Sequence, residues 1–149
     1  MGNSQWTGAT DILIDPRNTD VLYAATWDRH RTVAALMGGG PGSGIHKSID
    51  GGETWKKLYK GLPNDQDSNG DGEIDNDDLP TVNMGKIGLA ISPQNPDVLY
   101  AAIELERTTG GVYKSEDRGE SWKKMSNAVS GATGPHYYQE LYASPHKFD

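Results

Sequence analysis

SIDGGETW, residues 48–55, and SEDRGESW, residues 115–122, follow one pattern: a Ser, an Asp two places on, a Gly two after that and a Trp three further. Each is entered by an alternating stretch, GIHK at 44–47 and GVYK at 111–114, and left by another, WKKL and WKKM. The arrangement predicts a β-hairpin with a fixed turn in both places. Ser48 and Ser115 open the pattern. The carboxylates of Asp50 and Asp117 are suited to accept hydrogen bonds from turn amides, Gly52 and Gly119 to take positive φ, and Trp55 and Trp122 to cover the turn with an apolar face.

The surroundings of the two stretches repeat as well. ILIDPRNTDVLYAAT at 12–26 realigns with LAISPQNPDVLYAAI at 89–103, and each copy runs on to its GIHKS or GVYKS strand and its turn. Each unit reads as four strands, A to D. In the first unit they fall near 11–14 and at 21–26, 44–48 and 54–59; in the second at 87–91, 98–104, 111–115 and 121–125. The B strands are continuously apolar, as strands covered on both faces are, whereas C and D alternate. The expected fold class is therefore all-β: four-stranded antiparallel sheets of the β-propeller type, about two blades plus the start of a third. A small two-sheet sandwich is the competing architecture.

The pattern S-x-D-x-G-x-[ST]-W resembles the Asp-box, or BNR repeat, of sialidase-like, sortilin-like and xyloglucan-hydrolase-like β-propellers. What the resemblance implies is architecture. In that group the Asp-box is a structural turn shared by enzymes and non-enzymes, so it implies no particular activity. The expected organisation is a first blade at 1–60, an inserted acidic connector at 61–83, a second blade at 84–126, and a connector with the first strand of a third blade at 127–149. ELYASPHKFD at 140–149 matches GLAISPQNPD at 88–97, which places the last residue just before a third B strand. A ring takes at least about four blades. The expectation is a piece of a longer propeller, or a chain completed by other chains.

Repeat spacing shows where the variable material lies. Ser48 and Ser115 are 67 residues apart, whereas Pro16 and Pro93 are 77 apart. The difference comes from the B to C connector, which is longer in the first unit (27–43) than in the second (105–110). In an up-and-down blade the B to C and D to A connectors share one rim, so the variation falls on one face. Loops held by a rigid scaffold are where function usually sits.

Charge points to one place. Of a net −7, seven acids without any Lys or Arg lie between Asn64 and Asp78, and the rest of the 149 residues sums to zero. A general basic surface for nucleic acid is absent. With no cysteine there is no disulfide framework, thiolate metal site or thiol nucleophile. No apolar run reaches membrane-spanning length, and residues 1–14 lack the basic start and apolar core of a signal peptide.

Within the acidic connector, DSNGDGEIDNDD at 67–78 resembles the calcium loop of EF-hand and dockerin modules. Counting from Asp67, oxygen-bearing side chains stand at positions 1, 3, 5, 9 and 12 as Asp67, Asn69, Asp71, Asp75 and Asp78, with Gly72 at 6, Ile74 at 8, and Glu73 offering its carbonyl at 7. A hard divalent cation explains how so many carboxylates tolerate one another; a solvated acidic loop is the plainer alternative. Pro80 departs from the EF-hand pattern by opposing an exit helix. The expected cofactor is calcium, bound to order the connector rather than to sense.

Three further clusters bear on function. TWDRHRT at 26–32 offers Trp27 to stack on a sugar ring, with Asp28, His30 and the arginines Arg29 and Arg31 to bind or protonate a substrate; a surface ion-pair cluster with Trp27 packed on the neighbouring blade is the alternative. GGGPGSG at 38–44 reads as flexible loop without the strand-turn-helix context of a phosphate loop. Glu104 and Glu106, with acids of the first connector, are candidates for a glycosidase carboxylate pair. His136, Tyr137 and Tyr138, with Glu140, stand at the mouth of the inferred ring as ligand contacts, or simply as packing between blades.

The first expectation for function is a non-catalytic binding or assembly module of a larger Asp-box propeller, extracellular or periplasmic, meeting a protein, peptide or glycan. Its other partners would be the remaining blades or chains that complete the ring. The second is a fragment of a propeller glycoside hydrolase acting on polysaccharide. A paired-carboxylate cleft lined by exposed aromatics favours the enzyme; a crowded central face favours binding.

Overall fold

A computed structural model describes residues 5–66, 70, 82–106, 109–128 and 140–146. The described residues form strands and turns: β1 (Thr7–Asp15), β2 (Asn18–Asp28), β3 (His30–Arg31), β4 (Leu36–Met37), β5 (Gly44–Ser48), β6 (Lys56–Leu58), β7 (Ile87–Ile91), β8 (Leu99–Glu106), β9 (Thr109–Ser115) and β10 (Lys123–Ser126). They build two four-stranded antiparallel sheets, β1-β2-β5-β6 and β7-β8-β9-β10, and a small β3-β4 hairpin. The two large sheets are consecutive propeller blades. Among the described residues no helix is long and apolar enough to cross a membrane.

The registers show why the B strands are apolar throughout. Ile12 pairs with Ala24 and Ala24 with His46, while Asp11 pairs with Ala25 and Ala25 with Ile45. Alternate residues of β2 therefore serve opposite faces of one sheet. On one face Tyr23, Ala25, Ile45 and Leu58 meet Ile87, Leu89, Leu99, Ala101, Ile103 and Tyr113 of the second sheet, forming the core. Tyr23, Ile45, Leu99 and Ile103 are fully enclosed, and burying such a side chain contributes about 1.5–3 kcal/mol.

Each Ser-Asp-Gly-Trp turn is a closed hydrogen-bond set. The Ser48 hydroxyl donates to Asp50 (2.7 Å) and accepts from the Gly52 N–H (2.8 Å), the Thr54 N–H donates to Asp50 (2.9 Å), and the Trp55 indole N–H donates to the Gly52 carbonyl (2.8 Å). Ser115, Asp117, Gly119, Ser121 and Trp122 repeat it bond for bond. Gly52 and Gly119 lie at φ 95° and 86°, where a side chain strains the backbone. Hydrogen bonds from Thr54 and Ser48 hold Asp50 down to about 2. At Asp117 burial pushes upward, but the bonds from Ser121 and Ser115 outweigh it and the carboxyl stays below its ordinary range.

At the turn end the blades are tied by charge. Asp15, fully enclosed, accepts from Arg17 (2.9 Å) and from Arg118 of the second blade (3.3 Å), and Arg17 also reaches Asp97 (2.8 Å). The Arg17 hydrogen bond is the main reason the Asp15 carboxyl falls to about 2, burial opposing it. Nearer the inner edge the Leu89 N–H donates to Asp11 (2.8 Å), joining β1 to β7.

Several boundaries differ from the sequence reading. The D strands begin later, at Lys56 and Lys123, because the Thr54 and Ser121 amides are already committed to the turn carboxylates. β1 and β2 run on to pair Thr7 with Asp28, past a bulge between Ala9 and Asp11. Of the segment expected to hold the third A strand, the described residues 140–146 are coil, with no hydrogen-bonded neighbour strand among the described residues. They lie instead along β7, where Leu141 and Tyr142 face Thr10, Leu13 and Lys86 across a cavity of about 540 Å³.

Candidate ligand rim

The end of the blades opposite the Ser-Asp-Gly-Trp turns carries the β2 to β5 connector, the approach to β7, and the β8 to β9 turn. GGGPGSG, expected as flexible, is packed here. A Cβ on Gly39 would stand 2.7 Å from the Met84 carbonyl oxygen, and one on Gly40 would stand 2.9 Å from the Asp28 Cβ. The glycines let the connector lie flat on the blades.

Asp28 lies beneath that connector, 5% exposed. Its carboxylate accepts from the Thr7 hydroxyl and from the Gly42 N–H (2.8 Å), its own N–H donates to the Ser43 hydroxyl (2.9 Å), and the Thr26 hydroxyl donates to the Gly42 carbonyl (2.7 Å). Neither the sugar-facing acid nor the surface ion pair expected of Asp28 is what stands there. The cause is the flat glycine segment, whose amide needs an acceptor once buried.

Trp27 is turned inward too. It is 7% exposed, its indole N–H donates to the Gly38 carbonyl (2.9 Å), and the Arg29 guanidinium sits 5.2 Å from its ring centre. It offers no open ring for stacking. His30 is half-buried and rests on Trp6, ring centres 3.7 Å apart, and Trp6 is 43% exposed. This aromatic pair was missed in the sequence. The signal is the register, for pairing Thr7 with Asp28 places the residue before one strand beside the residues after the other.

Glu104 is 4% exposed. Its carboxylate accepts from the Lys86 N–H (3.3 Å), and a Cβ on Gly85 would stand 2.9 Å from its Cγ. Glu106 pairs with Thr109 through the backbone. The rim thus spends Asp28 and Glu104 on main-chain amides. His46, buried on β5, is pushed down to about 4 by burial and then by Lys57, and so is neutral at physiological pH. Asp67, Asn69, Asp71, Glu73, Asp75 and Asp78 of the calcium reading lie outside the described residues, as do His136, Tyr137 and Tyr138.

No family model matches the chain. A xyloglucanase, Xgh74A of Acetivibrio thermocellus, is 28% identical over 133 residues, 89% of this chain. The match spans 13% of that relative's length. Among solved structures, YCF48 from Cyanidioschyzon merolae superposes with a TM-score of 0.44 at 12% identity, covering 83% of this chain and 28% of that one. The chain is thus two propeller blades similar in sequence to a short part of a xyloglucanase.

Proposed function

We propose that the chain is a non-catalytic glycan-binding pair of Asp-box blades, belonging to an exported propeller whose remaining blades complete the ring. One observation carries this reading: Asp28 and Glu104, the acids described at the rim, are buried and bonded to main-chain amides. A general acid or nucleophile must reach a substrate. The exposed Trp6 ring beside His30 suits the apolar face of a sugar instead. Similarity to a xyloglucanase supports a xyloglucan-type polysaccharide as the ligand.

Affinity electrophoresis in xyloglucan-containing gels, run with a reducing-end assay on the same protein, tests the reading. Retarded migration, lost on Trp6→Ala, with no release of reducing ends is the expected outcome. Normal migration overturns it. Steady release of reducing ends supports the second reading, a piece of a polysaccharide-cleaving propeller, which the xyloglucanase similarity favours.

The acidic connector belongs to the same proposal. Asp67, Asn69, Asp71, Asp75 and Asp78, with the Glu73 carbonyl, are the right donors for calcium: hard oxygens at alternating positions. The ion would neutralise the cluster and fix the connector between blades. A loop of this kind also fits calcium-rich extracellular or periplasmic surroundings. Calorimetric titration with calcium is expected to give saturable heat that Asp71→Ala abolishes; equal heats from both proteins would remove calcium from the proposal.

A further inference from the structure

The β3–β4 hairpin holds Val33, Ala34, Ala35, Leu36 and Met37 in a row, all of them exposed. Val33, at the tip, is fully exposed, and Met37 is 51% exposed. His30 pairs with Met37 and Arg31 with Leu36, so the tip stands about 10 Å beyond His30. A folded chain keeps so long an apolar run on its surface where something apolar receives it. Completing the propeller ring does not supply that contact. Blades stack flank to flank around the axis, whereas this hairpin leaves its sheet at the rim, beyond the end of β2.

The tip is also built to leave water. The Thr32 N–H donates to the Ala35 carbonyl (2.8 Å), and the Thr32 hydroxyl accepts from the N–H groups of Ala35 (3.0 Å) and Ala34 (3.3 Å). Main-chain groups paired within the turn lower the cost of carrying it into an apolar medium. Five residues are too few to span a bilayer, for which a strand takes about nine. Charge says what lies beside that medium. Residues 29–43 contain Arg29 and Arg31 and no Asp or Glu, in a chain of net −7. Both arginines are exposed, at the base of the hairpin. An apolar tip above a cationic base matches the layering of an anionic lipid surface, with acyl chains at the depth of the tip and phosphates at the level of the arginines.

We propose that the β3–β4 hairpin is a membrane-surface anchor, its tip at 33–37 seated among the acyl chains of an anionic bilayer and Arg29 and Arg31 on the phosphates. An interfacial element enters by about 5–10 Å, so insertion stops short of His30 and leaves the Trp6–His30 pair on the water side. This goes beyond the glycan reading and does not rest on it.

The full chain is expected to pellet with vesicles of phosphatidylglycerol and phosphatidylcholine in equal parts, and not with phosphatidylcholine alone. Val33→Asp should lower the partition at least about tenfold, with unchanged strand content by circular dichroism, and Arg31→Glu should lower it about fivefold. Because the chain has no cysteine, a polarity-sensitive dye on a Val33→Cys variant reports the tip alone, and its emission should shift to the blue on the anionic vesicles. The same dye on Ile49→Cys, at a position 71% exposed at the other end of the blade, should not respond. No pelleting of wild type with the anionic vesicles, pelleting indifferent to Val33→Asp, or equal dye responses at the two positions would each overturn the proposal. A wild-type dimer that Val33→Asp splits in light scattering, without vesicle binding, would overturn it too and assign the tip to a second copy. Glycan retention by a chain that ignores vesicles would leave the binding reading standing while this one fell.

Discussion

Gly61→Ala is expected to destabilise the chain by more than about 3 kcal/mol, read as the shift in denaturant midpoint against wild type. Gly61 follows the D strand of the first blade, at φ 78°. A left-handed Ala costs about 1–2 kcal/mol by itself. The larger part comes from the blade next door. A Cβ at this position would overlap the Trp122 carbonyl oxygen and stand 2.9 Å from its carbon, both of them backbone atoms. They have little room to retreat, because the Trp122 N–H donates to the Lys60 carbonyl (2.9 Å) and the Gly61 N–H is held by Asp65 (2.6 Å). Relief requires the blades to move apart, opening the core around Tyr23 and Leu99. Gly8→Ala is the control: Gly8 lies on β1 with nothing within 4 Å of the new methyl, so its effect should stay within about 0.5 kcal/mol. Equal effects of the two substitutions would mean that the blades do not press together at Gly61.

Much of this architecture is local, and for that reason it was legible. β5 and β7 lie where alternation and bounding turns put them, because Gly44–Ser48 and Ile87–Ile91 carry their own limits. The B strands announced themselves as apolar runs with a covered face on each side. What escaped the sequence depends on partners far along the chain. Asp28 looked like a surface acid, since nothing near it in sequence reveals that Gly42 and Thr7 converge on its carboxylate. GGGPGSG looked flexible, since a glycine run reads the same whether it is free or pressed against Met84 and Asp28. Residues 140–146 carry the right residues for an A strand, but residue pattern alone does not supply the hydrogen-bonded neighbour that a strand needs. Trp6 and His30 met only through the register of β1 with β2.

The second large effect concerns the rim acid. Asp28 ties three segments together: the start of β1 through Thr7, the end of β2 through its own backbone, and the glycine connector through Gly42. Truncation to Ala strands the Gly42 N–H and the Thr7 hydroxyl beneath a connector that packs on the Asp28 side chain. Hydrogen bonds to a charged group are each worth about 1.5–3 kcal/mol, and stranding the two half-buried donors adds part of the penalty for an unmet donor. The two contributions overlap, giving an expected loss of about 3 kcal/mol. A carboxylate kept for chemistry behaves the other way, because groups held for reaction are commonly a burden on stability and their removal is neutral or stabilising. Reversible denaturant unfolding of Asp28→Ala beside wild type separates the two roles. A scaffolding acid predicts a midpoint lowered by about 3 kcal/mol; a variant as stable as wild type or more so would contradict the reading of this rim as a binding surface built on structural carboxylates.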